Sequence, residues 1–136
     1  MKNIQIFFLL LTFSVFSQTT FEKAEKLYAQ KKYNEAEKLF SEHLKSHPNH
    51  TKTIEYLGDI AGHQKDWNTG ITNYKKLKVS YPKNANYWYK YGGALGMKAK
   101  ESNKFKALGM IDEVEESFLT AAKLDSKHIE TRWALV

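Results

Sequence analysis

Three histidines are the first candidates for chemistry. His43 and His47 lie four residues apart, and His50 follows closely. Imidazoles at i and i+4 share one face of a helix and can hold a divalent cation between them. Pro48, directly after His47, ends any helix that carries the pair, and no carboxylate is placed as an obvious third ligand. The run His43-Leu44-Lys45-Ser46-His47 also lacks the glutamate of the HExxH pattern. Surface histidines are therefore expected, with no metal and no cofactor. A second candidate is the acidic group Asp112, Glu113, Glu115 and Glu116. Its expected place is the first turn of a helix, where negative charge complements the macrodipole. Gly92, Gly93 and Gly96 lie inside a helical pattern and lack the Gly-Lys-Ser/Thr ending of a phosphate loop. They are expected to allow close helix packing, at about 1 kcal/mol each relative to alanine. No nucleophile, base and acid are spaced as a catalytic set, so the chain is not expected to be an enzyme.

The elements that would position these residues repeat. The only two prolines, Pro48 and Pro82, stand 34 residues apart. The same offset relates Ala24, Gly58 and Gly92; Thr20, Ile54 and Trp88; Phe40 and Tyr74; and Tyr33 and Trp67. A fixed period of this length means stacked supersecondary units, each too small to bury its own apolar face. Within residues 17–50, Thr20, Ala24, Leu27 and Tyr28 fall at helical spacing. Tyr33, Ala36, Phe40 and Leu44 do so again after a polar Gln30-Lys31-Lys32 turn. Residues 51–84 repeat the plan with Ile54, Leu57, Gly58 and Ala61, then Trp67, Ile71, Tyr74 and Leu77. Asp66 is the expected N-cap of the second helix in that unit, and Asn84 or Asn86 of the next.

This pattern resembles the tetratricopeptide repeat. Its bulky, leucine, small, alanine, aromatic and proline positions are occupied by Ile54, Leu57, Gly58, Gly70, Tyr74 and Pro82 in the second unit. The first unit has Thr20, Lys23, Ala24, Ala36, Phe40 and Pro48 there, and the third opens with Trp88, Tyr91 and Gly92. The resemblance implies an all-α solenoid of antiparallel helix pairs, with about three repeats and a partial fourth from residue 129.

The third unit, 85–128, is longer by ten residues near 98–107. Leu108 to Glu113 reads as its inter-helix turn, with Val114, Phe118 and Ala121 on the helix that follows. The extra segment carries Lys98, Lys100, Lys104 and Lys106 against Glu101. It is expected to lengthen a helix or the turn and to be at least partly helical. Ser126 replaces the third proline. From Ile129 another first helix is expected. An apolar end at Trp133 to Val136 points either to a chain that runs on or to contact with a second copy.

The other end reads as a secretory signal peptide over residues 1–17: Lys2, a run from Ile4 to Phe16 interrupted only by Gln5, Thr12 and Ser14, and small residues at Val15 and Ser17 before Gln18. The run is shorter than the ~20 residues a spanning helix needs. The expected mature domain, 18–136, is thus exported to the periplasm or beyond, with no stable membrane span. The net charge of +6 becomes +5 without Lys2, and cysteine is absent, which excludes both disulfides and lipidation at a new N-terminal cysteine. Interleaved acids and lysines suit solvated helix faces better than a phosphate-tracking stripe, so nucleic acid is not an expected partner.

In the family that this pattern resembles, the concave groove is lined by set positions of the first helices. Carried over, these are Phe21, Glu25 and Tyr28; Lys52, Glu55, Asp59 and His63; and Asn86, Tyr89, Gly93 and Met97. Aromatic anchors around a central acidic patch imply a protein or peptide partner, as an extended segment of basic or apolar character. Phe21 and Glu25 stand where carboxylate-clamping members have lysine and asparagine, which disfavours that use. The expected function is an exported interaction scaffold. The alternative is a self-associating module of an envelope assembly, joined through the C-terminal end.

Overall fold

The computed structural model describes residues 18–134, which form seven helices. The expected leader at 1–17, the side chains of Ile129, Arg132 and Trp133, and Leu135 and Val136 lie outside the described residues. Helices α1 (Thr20–Ala29) and α2 (Tyr33–Ser46) form the first pair; α3 (Thr51–His63) and α4 (Trp67–Ser80) form the second. Helices α5 (Ala85–Glu101) and α6 (Lys104–Leu124) form the third, and α7 (Ile129–Ala134) opens a fourth. Each helix packs mainly on its neighbours in the chain, which gives an all-α solenoid.

Local chemistry accounts for the boundaries. Thr19 and Glu22 form a reciprocal capping box at α1. Asp66, Asn84 and Asn103 each accept the backbone N–H three residues on, at the starts of α4, α5 and α6. Asp66, held by the Thr69 hydroxyl and N–H, has its carboxyl pK lowered from the ordinary value. The tight turns inside the first two pairs are closed by one motif. After α1, Lys31 N–H donates to Tyr28 and Lys32 N–H to Leu27; after α3, Lys65 N–H donates to Gly62 and Asp66 N–H to Ala61. This Schellman arrangement requires a left-handed residue, and lysine fills it both times, at φ 59° and 60°. The turns between pairs also repeat. His50, Asn84 and His128 donate their N–H to His47, Tyr81 and Asp125, at 3.0, 3.0 and 3.1 Å. Pro48 and Pro82 sit second in these turns, where a fixed φ is favourable, and Ser126 keeps the same geometry in the third.

The third pair corrects one expectation. Residues 108–113 are not a turn: they lie inside α6, and the chain reverses at Ser102 and Asn103. Relative to α3 and α4, of 13 and 14 residues, α5 and α6 have 17 and 21. The ten extra residues therefore lengthen the hairpin instead of forming a loop. Asp112, Glu113, Glu115 and Glu116 consequently sit mid-helix, and the expectation that they stabilise a helix start fails. Glu113 instead accepts a hydrogen bond from the Tyr91 hydroxyl, 2.5 Å away. Burial, with that carboxylate, raises the Tyr91 pK.

Small residues set the helix spacing. Ala24 and Ala36 are wholly buried between α1 and α2. A Cβ on Gly58 would lie 2.7 Å from the Tyr74 ring, and one on Gly92 would lie 3.0 Å from Ser117. The apolar interior has two parts. Ala24, Ala36, Phe40 and Ile60 form one. Ile54, Tyr74, Leu77, Tyr87, Tyr91, Ala94 and Leu95 form the other.

Candidate functional site

Helices α1, α3 and α5, the first of each pair, carry the side chains expected in the groove, and polar bonds knit them together. Lys90 on α5 lies 2.7 Å from Glu55 Oε1 and 2.7 and 2.9 Å from the two Asp59 oxygens. Asn86 Nδ2 donates to Glu55 at 3.3 Å, and the buried Tyr74 hydroxyl donates to Asp59 at 2.5 Å. Towards α1, Lys52 and the Tyr56 hydroxyl both donate to Glu25 Oε1, at 3.4 and 3.1 Å. A cavity of about 230 Å³ opens among Lys52, Glu55, Tyr56 and Asp59.

The electrostatics follow from this wiring. Burial opposes the Lys90 charge, but hydrogen bonds to Asp59 and Glu55 outweigh it and hold its pK above the ordinary value. Tyr56 is pushed up to about 12, first by burial and then by the Glu25 carboxylate. Tyr74 is raised too, by burial and by Asp59. Glu25, Glu55 and Asp59 oppose Lys52 and Lys90, so these five groups leave one net negative charge. The acidic patch read from the sequence is thus largely compensated.

The remaining candidates divide by exposure. His63 and Met97 are exposed, and His63 stacks on Tyr33 with centroids 4.3 Å apart. Gly93 faces open space. Tyr28 is half-buried between Tyr33 and Tyr56, at 5.6 and 4.8 Å. Phe21 and Tyr89 are half-buried as well. Phe21 packs against Phe40, His43, His50 and Tyr56, and Tyr89 against Phe118 and His128. Each ring occupies the junction with the next helix pair and contributes to packing.

The histidines gather at the α1–α2 end. His43 and His47 stack at 4.4 Å with planes 13° apart, and His50 meets His43 edge-on at 4.9 Å. Stacked rings do not converge their nitrogens on one point, and no three metal-type side chains among the described residues form a metal site. His50 is more than a surface residue. Its Nδ1 accepts from Thr53 N–H and lies 2.8 Å from the Thr53 hydroxyl, capping α3. His128 does the same for Thr131. His43 is half-buried with Nε2 enclosed and unpartnered, so burial and then His47 and His50 lower its pK.

Sequence reasoning missed Lys90 and Tyr56. Both follow directly after a groove position, and their partners lie 31 to 35 residues away. A single sequence offers no signal for such pairings beyond the presence of opposite charges at offsets near the repeat length.

No family model and no curated protein sequence matches this chain. Solved structures do. A thermophilic TPR protein from Thermus thermophilus superposes with a TM-score of 0.75 at 17% identity, over 87% of this chain and 61% of that one. MamA, from residue 41 to its end, from Desulfovibrio magneticus RS-1, gives 0.71 at 19%, over 85% and 60%. The first TPR of Spaghetti (RPAP3), bound to the HSP90 peptide SRMEEVD, gives 0.70 at 16%, over 85% and 84%. The chain thus spans about three fifths of the first two.

Proposed function

With the tetratricopeptide-repeat fold as premise, we propose that this chain is an exported protein-interaction scaffold that holds an extended peptide segment along the wall of α1, α3 and α5. The observation that carries the reading is the cavity among Lys52, Glu55, Tyr56 and Asp59, whose walls are fixed in advance by the bonds from Lys90, Tyr74 and Glu25. A surface ordered before binding loses less conformational freedom when it is occupied. The similar fold bound to an HSP90 peptide supports a peptide as ligand class. The small negative excess of the wall favours a segment of apolar or weakly basic character over an acidic one.

The test is binding of the purified protein to an array of apolar, basic and acidic peptides. Phe21 and Tyr89 are unsuitable probes because both rings pack at pair junctions. His63 and Met97 are exposed, so their combined replacement by alanine is expected to leave the fold intact. Loss of apolar binding in that variant is expected, and Lys52→Ala, which deepens the negative excess, should strengthen basic binding; unchanged binding in both would refute the wall as the site.

Export rests on Lys2, the Ile4–Phe16 run and Ser17 before Gln18. Among the described residues no helix is long and apolar enough to cross a membrane. N-terminal sequencing of the native protein from fractionated cells should find Gln18 first. A cytoplasmic chain that retains the leader would overturn export.

A further inference from the structure

The sequence pattern of α6 leaves an apolar stripe that the solenoid does not cover. Leu108, Ile111 and Leu119 are 55%, 49% and 42% exposed, and Phe105 beside them is 88% exposed. At ~100° per residue, Lys104, Leu108, Ile111, Glu115 and Leu119 fall within an arc of about 80°. Isolated exposed leucines are ordinary, but a contiguous row on one face marks a contact surface. Among the described residues neither Lys104 nor Glu115 forms an ion pair.

The order of these residues selects the occupant. About a point midway between Gly109 and Met110, the four positions Lys104, Leu108, Ile111 and Glu115 read the same from either end in hydropathy and inverted in charge: Lys104 mirrors Glu115 and Leu108 mirrors Ile111, while Leu119 lies beyond the symmetric part. We infer that α6 pairs antiparallel with α6 of a second copy of this chain, around a two-fold axis at that point. Leu108 then meets the second copy's Ile111 and Lys104 meets its Glu115, each contact occurring twice, as an isologous interface requires. A parallel pairing would set lysine against lysine and glutamate against glutamate. The apolar row supplies the burial, and the terminal charges fix direction and register. About that axis the two helices overlap over residues 104–115, a contact about 18 Å long and at the small end for a stable interface, so the dimer is expected to be concentration-dependent. This surface is separate from the peptide wall and does not depend on that reading.

The test is sedimentation equilibrium of the purified full-length protein across a concentration series. A reversible dimer is expected, and Leu108→Lys should weaken it about tenfold or more while helical content by circular dichroism stays unchanged. Lys104→Glu alone and Glu115→Lys alone should each weaken self-association, because each places like charges together twice. An equimolar mixture of the two should restore a mixed dimer, because both pairs are then complementary. A wild-type protein monomeric throughout, a dimer indifferent to Leu108→Lys, or single variants that mixing fails to rescue would each overturn the inference.

Discussion

Gly58→Ala and Gly93→Ala are the same chemical change in neighbouring first helices, and the structure assigns them opposite signs. In open helix interiors the added methyl stabilises by about 1 kcal/mol, because alanine loses less backbone freedom. Gly93 meets that condition: nothing lies within 4 Å of where its Cβ would stand. At Gly58 the same atom would lie 2.7 and 2.9 Å from Cε1 and Cζ of Tyr74, a ring only 6% exposed. The ring cannot swing aside freely, since its hydroxyl donates to Asp59, which also holds Lys90. Overpacking of this kind costs about 1–3 kcal/mol, and weakening a hydrogen bond to a charged group costs about 1.5–3 kcal/mol. After the propensity gain, Gly58→Ala should destabilise by about 2–4 kcal/mol. For a domain of this size that lowers Tm by roughly 10 °C, whereas Gly93→Ala should raise it by roughly 4 °C. Thermal unfolding followed by circular dichroism measures both. Adding Tyr74→Leu should reverse the sign of the Gly58 effect, because the clash goes with the ring. If Gly58→Ala stabilises as much as Gly93→Ala, the claim that this glycine sets the helix spacing is refuted.

Two further predictions concern charge. Lys90→Met removes the ammonium and leaves Glu55 and Asp59, 23% and 22% exposed, facing one another unpaired. A loss of about 2–3 kcal/mol is expected in urea denaturation, partly recovered by adding Asp59→Asn; a neutral Lys90→Met would show that solvent already screens the triad. His43, whose pK is lowered from 6.5 by burial and by its histidine neighbours, stays neutral in the fold after the unfolded chain has taken up a proton. Stability should therefore be full above about 6.5 and fall as the pH drops below it, and His43→Phe should flatten that slope; an unchanged slope would place the titration elsewhere.

The first two repeats were legible in the sequence because each signal there acts locally. Pro48 and Pro82 fix their turns, Asp66 caps the next helix, and the small residues at 24, 36, 58 and 70 recur at the period that packs one helix on the next. The third repeat was misread because Gly109 beside acids suggested a turn, and the cap at Asn103 was not recognised. The Asn103 side chain accepts the Lys106 N–H and decides the matter, and the exposed Gly109 costs the helix only about 1 kcal/mol. The groove was only partly legible. Register put Glu25, Lys52, Glu55 and Asp59 on adjacent first helices, where their side chains lie around one cavity or bond to its walls, but register alone says nothing of rotamers. Lys90 and Tyr56 enter the wall through bonds between different helices, and Phe21 and Tyr89 turn into the junctions because aromatic burial there is worth more than exposure.

Helix α3 belongs to both apolar interiors: Ile60 is buried in the first and Ile54, six residues earlier, in the second. Partial opening of the molecule is therefore directional. Fraying that releases α1 and α2 bares Tyr56, Leu57 and Ile60 but leaves Ile54 engaged, so the remaining helices can keep their shape. Release of α3 strips both interiors at once and amounts to unfolding the whole array. Amide exchange should accordingly be slowest in α3 and fastest in α1, and a ligand touching both Glu25 and Lys90 would suppress the first opening without changing the second.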